Sequence, residues 1–171
     1  MRDRFWDWFT TAAPRVVAGA ELPAILRRSS SSGAVCLLLA GATGATARSA
    51  AERAAAEARV RLLRVNLKAL GGPYAAEAEK SIDVVFAAAA QTGAALLFEN
   101  ADALFGRSGG GASAEGFSKR LDAFRGNALF ALAAAPRALD SAFSRRLAYV
   151  VDLQPPDAKQ RDSLWRSVLP G

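Results

Sequence analysis

A short segment rich in glycine and other small residues is the first place where this sequence could do chemistry. The apolar run Val35 to Ala40 leads into this segment, and a helix-forming stretch follows at Arg48 to Ala58. A strand, a glycine-containing turn and a helix in this order are the setting in which backbone N–H groups bind phosphate. The candidate phosphate loop consists of Gly41, Ala42, Thr43, Gly44, Ala45, Thr46, Ala47 and Arg48.

The side chains that phosphate chemistry needs are missing from this loop. The expected pattern is glycine, four residues, glycine, lysine and a hydroxyl residue. Counted from Gly41, Thr46 takes the second glycine position, Ala47 the lysine position and Arg48 the hydroxyl position. Ala47 brings no cation to the phosphates, and Arg48 puts positive charge where a hydroxyl would contact Mg²⁺. We therefore predict a structural turn with no metal site and no required cofactor. Weak binding of ATP or ADP with Mg²⁺ is the alternative.

The remainder of the chain alternates between short apolar runs and helix-forming segments. The apolar runs are Val35 to Ala40, Arg61 to Leu67, Ala94 to Phe98, Ala128 to Ala133 and Leu147 to Leu153. The helix candidates are Arg48 to Ala58, Ala75 to Thr92, Ala114 to Arg125 and Pro156 to Val168. Nearly continuous apolar strands separated by helices indicate an α/β fold with a parallel sheet covered on both faces. Residues 1–33 are predicted to be a helical segment with a serine-rich linker, preceding an α/β domain at residues 34–171.

Four segments, in register over most of the chain, resemble the large subdomain of AAA+ ATPases. They are the loop at Gly41, Pro73 to Ser81, Ala95 to Gly106, and Ala138 to Leu147. The resemblance is strongest for the AAA+ proteins encoded with phage-tail-like contractile injection systems. It implies a P-loop NTPase-like three-layer sandwich with a five-stranded parallel sheet in the order 5-1-4-3-2. The helical lid subdomain that follows in the family is expected to be absent, since the chain ends at Gly171.

The resemblance also assigns catalytic positions, and most of them are changed. Glu99 and Asn100 match the Walker B positions of an aspartate and a glutamate. Asn100 cannot accept a proton from water, a step usually worth about 10²–10⁴-fold in rate. Ala134 falls at the position of a polar sensor residue, and a methyl group cannot orient water. The loss of lysine, hydroxyl, base and sensor together predicts an inactive ATPase homologue.

Two other features of the family are retained in this sequence. Arg145 and Arg146 match the arginine-finger positions, from which an arginine reaches into the site of a neighbouring subunit. They are equally interpreted as surface charges at a helix end. Tyr74 matches the pore-loop aromatic that grips a translocated polypeptide in active relatives, and a locally packed Pro-Tyr turn is the alternative.

Composition limits the remaining function classes. The chain has 171 residues, which is room for one domain with a sizeable core. It lacks histidine, the commonest general base, and its one cysteine, Cys36, is predicted to be a buried core thiol. The net charge of +6 arises from scattered arginines with no run of five, which favours a solvated basic surface over a nucleic-acid site. No apolar window is long enough for a membrane span, and a cytoplasmic location is expected.

Taken together, these patterns predict a pseudo-ATPase with an assembly or scaffolding role, acting in a homo- or hetero-oligomer of AAA+ type. An assembly such as a contractile injection particle is its expected setting. Three alternatives stay open: a rewired ATPase in which Arg48 replaces the lysine and Glu99 is the base, a domain that keeps nucleotide as a structural ligand, and a basic nucleic-acid module. The aromatic cluster of Phe5, Trp6, Trp8 and Phe9 is interpreted as a packing element, with a partner-docking peptide as the alternative.

Overall fold

The computed structural model describes residues 14–28, 33–42, 44–70, 75–102, 112–132 and 144–153. Its strands are β1 (Arg15–Ala18), β2 (Val35–Ala40), β3 (Leu62–Asn66), β4 (Ala95–Glu99), β5 (Asn127–Ala131) and β6 (Leu147–Asp152). Its helices are α1 (Leu22–Leu26), α2 (Gly44–Ala58), α3 (Leu67–Leu70), α4 (Ala75–Thr92) and α5 (Ala112–Ala123), and one 3-10 turn spans Gly19–Glu21.

The sheet has six strands in the order β1-β6-β2-β5-β4-β3, and every neighbouring pair is parallel. The expectation of a five-stranded sheet in the order 5-1-4-3-2 is therefore corrected. The added strand is β1, which pairs with β6 at one edge, from Arg15 beside Tyr149 to Ala18 beside Asp152. Since β1 joins at an edge, the other five strands keep the order β6-β2-β5-β4-β3.

The strand β1 lies in a region that the sequence predicts to be helical, and this part of the prediction is wrong. Val16 and Val17 are β-branched residues, which suit a pleated strand, and Val17 is buried while Val16 is exposed. Four residues are too few for a periodicity to stand out in the sequence. In the described part of residues 1–33, the helical expectation is met by the 3-10 turn and by the short helix α1, which has Pro23 in its first turn. The division of the chain at residue 33 stays a prediction.

Hydrophobic cores cover both faces of the sheet, because side chains alternate along each central strand. On one face, Leu38, Phe98 and Phe130 pack beneath α4 and α5 together with Phe86 and Phe117. Edge-to-face contacts join these rings, with centroids 5.0 Å apart for Phe98 and Phe117 and 5.9 Å for Phe86 and Phe117. The α/β fold with a covered parallel sheet is thereby confirmed.

The other face of the sheet is covered by α1 and α2 and is lined with smaller side chains. Leu37, Leu39, Leu97 and Leu129 point to this side, where they meet a row of buried alanines on α2. That row consists of Ala47, Ala51, Ala54, Ala55 and Ala58. Its spacing of three and four residues is that of one helix face, so α2 approaches the sheet closely along its length.

The predicted secondary structure is confirmed for the central elements within a few residues. The predicted strand Val35 to Ala40 and helix Ala75 to Thr92 have the bounds of β2 and α4. The main difference is α2, which begins at Gly44 and not at Arg48. Cys36 is buried in β2, as predicted, and burial raises the pKa of its thiol to about 12. The predicted helix Pro156 to Val168 lies outside the described residues.

Candidate nucleotide site

The candidate phosphate loop joins the carboxyl end of β2 to α2 through residues 41–43 only. Gly41 has a positive φ of 79°, and a β-carbon there would lie 2.9 Å from Oδ1 of Asp152. Gly44 also has a positive φ, 48°, but a β-carbon there would meet nothing within 4 Å. Gly41 is therefore needed for packing against the end of β6, whereas a side chain at Gly44, the first residue of α2, would meet no neighbouring atom. The N–H of Gly44 donates to the carbonyl of Leu132 at 3.3 Å.

The early start of α2 decides which side chains of the loop face the site. Ala45 and Arg48 line a cavity at the carboxyl edge of the sheet, whereas Ala47 is completely buried in the core on the α2 face. Thr46 lies in the first turn of α2 and is exposed. The sequence pattern counted from Gly41 placed the lysine position at Ala47. In the structure, a side chain at that position points away from the cavity.

Arg48 and Glu99 form an ion pair across this cavity, with Nη1 of Arg48 3.5 Å from Oε1 of Glu99. The two residues come from different elements, the second turn of α2 and the carboxyl end of β4. The Glu99 side chain is 18% exposed and the Arg48 side chain 40% exposed, so the carboxylate is the more enclosed partner. The carboxylate that the resemblance assigns to metal binding thus faces a guanidinium of the same chain.

Asn100, which lines the same cavity, bonds to Asn66, a residue that the sequence analysis did not single out. Its Nδ2 donates to Oδ1 of Asn66 at 2.8 Å, and the same oxygen accepts the backbone N–H of Lys68 at 3.1 Å. Asn100 has a φ of 55°, a left-handed conformation that asparagine tolerates better than most residues. Asn66 and Glu99 are paired in the β3–β4 register, so both strands end at this site.

The sequence carried one signal that would have found Asn66. It is a polar residue at the end of an apolar strand of a parallel sheet, and the carboxyl ends of such strands share one edge, where ligands bind in α/β folds. That rule finds Asn66, Glu99 and Asn100 together. It does not predict that Asn100 uses its amide for a neighbouring strand.

The cavity at this edge does not fit a magnesium nucleotide as the described residues form it. Its volume is about 170 Å³, whereas cavities for small ligands are usually about 300–1,000 Å³. Mg²⁺ binds through carboxylates and substrate phosphates, and the one lining carboxylate, Glu99, is already paired with Arg48. The lining residues are Gly44, Ala45, Arg48, Asn66, Glu99, Asn100, Ala131 and Leu132.

The two candidate finger arginines lie at the opposite edge of the sheet, directly before β6. Arg146 donates from Nε and Nη2 to the two oxygens of Asp122, at 3.2 Å and 2.8 Å. This hydrogen bond lowers the pKa of the Asp122 carboxyl and raises that of Arg146. Arg145 is exposed. The structure therefore separates the two arginines, of which Arg146 is fixed to α5. Thr43, Tyr74 and Ala134 lie outside the described residues.

A protein-family model, that of the ATPase family associated with various cellular activities (AAA), matches residues 37–155. The match covers more than half of the chain. The chain belongs to the AAA family. This confirms the resemblance to the AAA+ family, over residues 37–155.

Among solved structures, this AAA chain is similar to the FIGL-1 AAA domain, whose crystal structure holds ADP. The TM-score is 0.60 and the sequence identity is 17%, with 80% of this chain and 48% of that chain covered. At this identity the similarity shows the fold. The chain thus spans about half the length of the structure it matches. No curated protein matches it. None of the described helices has the length and apolarity that crossing a bilayer requires.

Proposed function

We propose that this AAA domain is a pseudo-ATPase whose nucleotide edge is closed by its own side chains. The observation that carries the proposal is the ion pair between Arg48 and Glu99. In an active site the carboxylate at this position faces a metal ion and the phosphates. Here the guanidinium supplies the positive charge that Glu99 needs, so the pair satisfies itself without a ligand.

The missing proton acceptor supports the same conclusion. Asn100 carries no carboxylate, and its amide is engaged by Asn66 at 2.8 Å. A glutamate in its place would have to adopt a φ near 55°, which costs a residue with a longer side chain about 1–2 kcal/mol. Asn100 therefore cannot act as a general base, and the backbone conformation at this position also disfavours a glutamate.

The start of α2 at Gly44 also supports a different register for the phosphate-loop motif. The loop glycine that opens the helix is Gly44, so Ala45 takes the place of the lysine and Thr46 that of the hydroxyl residue. In this register the hydroxyl is retained, while the cation and the first glycine are lost. Leu39, five residues before Gly44, is a buried strand residue and so cannot act as the first glycine of the pattern.

The role that remains for such a domain is assembly or scaffolding. AAA family members act as oligomers, and Arg145 is the exposed candidate to reach a neighbouring subunit, since Arg146 is bound to Asp122. A contractile injection particle is the setting that the sequence resemblance favours for this role. The support for that setting is the order and spacing of the four segments in the sequence.

Phosphate release by the purified chain tests the proposal. With millimolar ATP and Mg²⁺ we expect no release above that of the Glu99→Gln variant, which removes the acidic group among the described residues that line the cavity. Release by the wild-type chain that Glu99→Gln abolishes would contradict the proposal and support the rewired ATPase. A melting temperature that rises with ADP, with no release from ATP, would support the structural-ligand alternative.

The finger proposal has its own measurement. In a reconstituted assembly with an active AAA partner, Arg145→Ala should lower the ATPase rate of the partner, whereas Arg146→Ala should act mainly on the stability of this chain. Equal rates for the wild-type and Arg145→Ala assemblies would exclude a finger at this position.

A further inference from the structure

Among the described residues, positive charge is concentrated at the amino edge of the sheet, where the parallel strands begin. Eight arginines lie there, each at or within two residues of the start of a strand or the end of a helix: Arg15, Arg27, Arg28, Arg59, Arg61, Arg125, Arg145 and Arg146. All but the half-buried Arg146 are exposed. In the described part of the chain, Glu57 and Asp122 are the acidic residues that lie with them. Arginines that are scattered in sequence thus form one basic edge.

The opposite edge has the reverse balance among the described residues. Glu21, Glu99, Asp102 and Asp152 lie at or just beyond the ends of strands and in the turn after β1, with Arg48 and Lys68 beside them. The described part of the domain is therefore polarised along its strands. The positive end is the one away from the candidate nucleotide site.

Helix ends explain part of this arrangement but not all of it. Cations are favourable at helix carboxyl ends, and Nη2 of Arg27 does donate to the carbonyl of Glu57 at 3.0 Å, near the end of α2. Arg15, however, is the first residue of β1, and Arg61 directly precedes β3, and neither belongs to a described helix. Their shared feature is the edge itself.

We propose that this basic edge binds the phosphodiester backbone of a nucleic-acid duplex. Six strands at about 4.8 Å spacing make an edge about 24 Å long, which matches about seven phosphates of one strand. The cations are all arginine, whose fork-shaped guanidinium binds phosphate oxygens in pairs. This proposal departs from the sequence-based expectation, because only the topology brings the arginines together.

The composition of the edge favours a nucleic acid over an acidic protein. A stable protein interface needs apolar or aromatic anchors at its centre. The large hydrophobic side chains that are exposed in the described ranges are Val16, a single residue of β1, and Val84, in the middle of α4. Contacts to a phosphate backbone need charge alone and carry no sequence information.

The test compares two variants that lose the same charge from different surfaces. The edge variant is Arg15→Gln/Arg28→Gln/Arg61→Gln, and the control variant is Arg53→Gln/Lys68→Gln/Lys80→Gln, all at exposed positions. Binding of a 30-base-pair DNA duplex of arbitrary sequence is measured by fluorescence anisotropy from low to moderate salt, after melting curves show that both variants fold. Binding of an RNA duplex of the same length is measured in parallel, to distinguish a DNA backbone from an RNA backbone as the ligand.

We expect the wild-type chain and the control variant to bind the duplex with similar, steep salt dependence. The edge variant should lose up to about 3 from the slope of log K against log salt, about one per phosphate contact removed. Equal losses in both variants, or no binding by the wild-type chain at low salt, would overturn the proposal. Displacement by polyglutamate as effective as by unlabelled duplex of equal charge would also overturn it, in favour of an acidic protein. None of these outcomes depends on Arg48 or Glu99, so they leave the pseudo-ATPase proposal to its own test.

Discussion

Arg48 in α2 and Glu99 at the end of β4 form an ion pair, with 3.5 Å between Nη1 and Oε1. This ion pair connects the candidate phosphate loop to the carboxyl end of β4. Without its partner, each charge would be unfavourable at this position. The Glu99 carboxylate is mostly enclosed, and the Arg48 guanidinium occupies space that a bound phosphate would need. Together they neutralise each other. Our proposal that the pair takes the place of a bound ligand follows from this contact.

Removal of the guanidinium should open the site to a magnesium nucleotide. In Arg48→Ala the Glu99 carboxylate loses its cation and becomes available to a metal ion. We expect ADP with Mg²⁺ to raise the melting temperature of Arg48→Ala more than that of the wild-type chain, measured by differential scanning fluorimetry. Arg53→Ala, an exposed position on the same helix, is the control and should behave as the wild type. A weaker nucleotide response in Arg48→Ala than in the wild type would mean that Arg48 itself holds the phosphates.

Lysines introduced at Ala45 and at Ala47 should have opposite consequences. Ala45 lines the cavity, so Ala45→Lys should fold normally and gain affinity for ADP or ATP. Ala47 is fully buried against Ala51 and the sheet, and a lysine there leaves an uncompensated charge in the core. We expect Ala47→Lys to lose about 3–5 kcal/mol of unfolding free energy, measured by urea denaturation. If Ala47→Lys is stable and binds nucleotide, the motif counted from Gly41, with its lysine position at Ala47, would be the correct one.

Replacement of Asn100 by alanine should lower the stability of the fold because of the backbone conformation at this position. Both Asn100→Ala and Asn100→Gly lose the hydrogen bond to Asn66, but only alanine is strained at a φ of 55°. Asn100→Ala should therefore be less stable than Asn100→Gly by about 1–2 kcal/mol, measured by chemical denaturation. Equal stabilities would show that the left-handed conformation relaxes when the side chain changes.

The Asp122–Arg146 pair should stabilise the fold in a pH-dependent way. The hydrogen bond from Arg146 lowers the pKa of Asp122 in the folded chain, so the unfolded chain takes up its proton at a higher pH. The contribution is fully present above the ordinary aspartate pKa, about 3.9, and is lost as the pH falls through the lower folded value. Because Asp122 is largely exposed, the gain is small, at most about 2–4 °C in melting temperature.

The measurement is the difference in melting temperature between the wild-type chain and Asp122→Asn from pH 7 to pH 3. We expect the wild type to be more stable at pH 7, with the difference shrinking below about pH 4. A difference that stays constant over this range would mean that the carboxylate charge of Asp122 contributes nothing.

The amino-acid sequence by itself determined the elements and the family. Short apolar runs such as Val35 to Ala40, followed by a small-residue turn, favour buried strands, and the helix Ala75 to Thr92 was delimited because its propensity extends over many turns. Strand β1 escaped because its four residues carry too little local signal and are held as a strand by pairing with β6. The chemical losses at Ala45 to Arg48 and at Asn100 could be read directly from residue types.

Only the tertiary structure decided what these residues do together. The start of α2 at Gly44 turned Ala47 into the core and Arg48 towards Glu99, a consequence of helix phase that motif spacing does not contain. The same is true of the amino edge, where parallel pairing places Arg15 and Arg145 on neighbouring strands and Arg61 at the far end of the same edge, although they are far apart in the chain. Local propensity determines the helices and strands. Strand order and helix phase determine which charged residues become neighbours, because these residues are distant in the sequence.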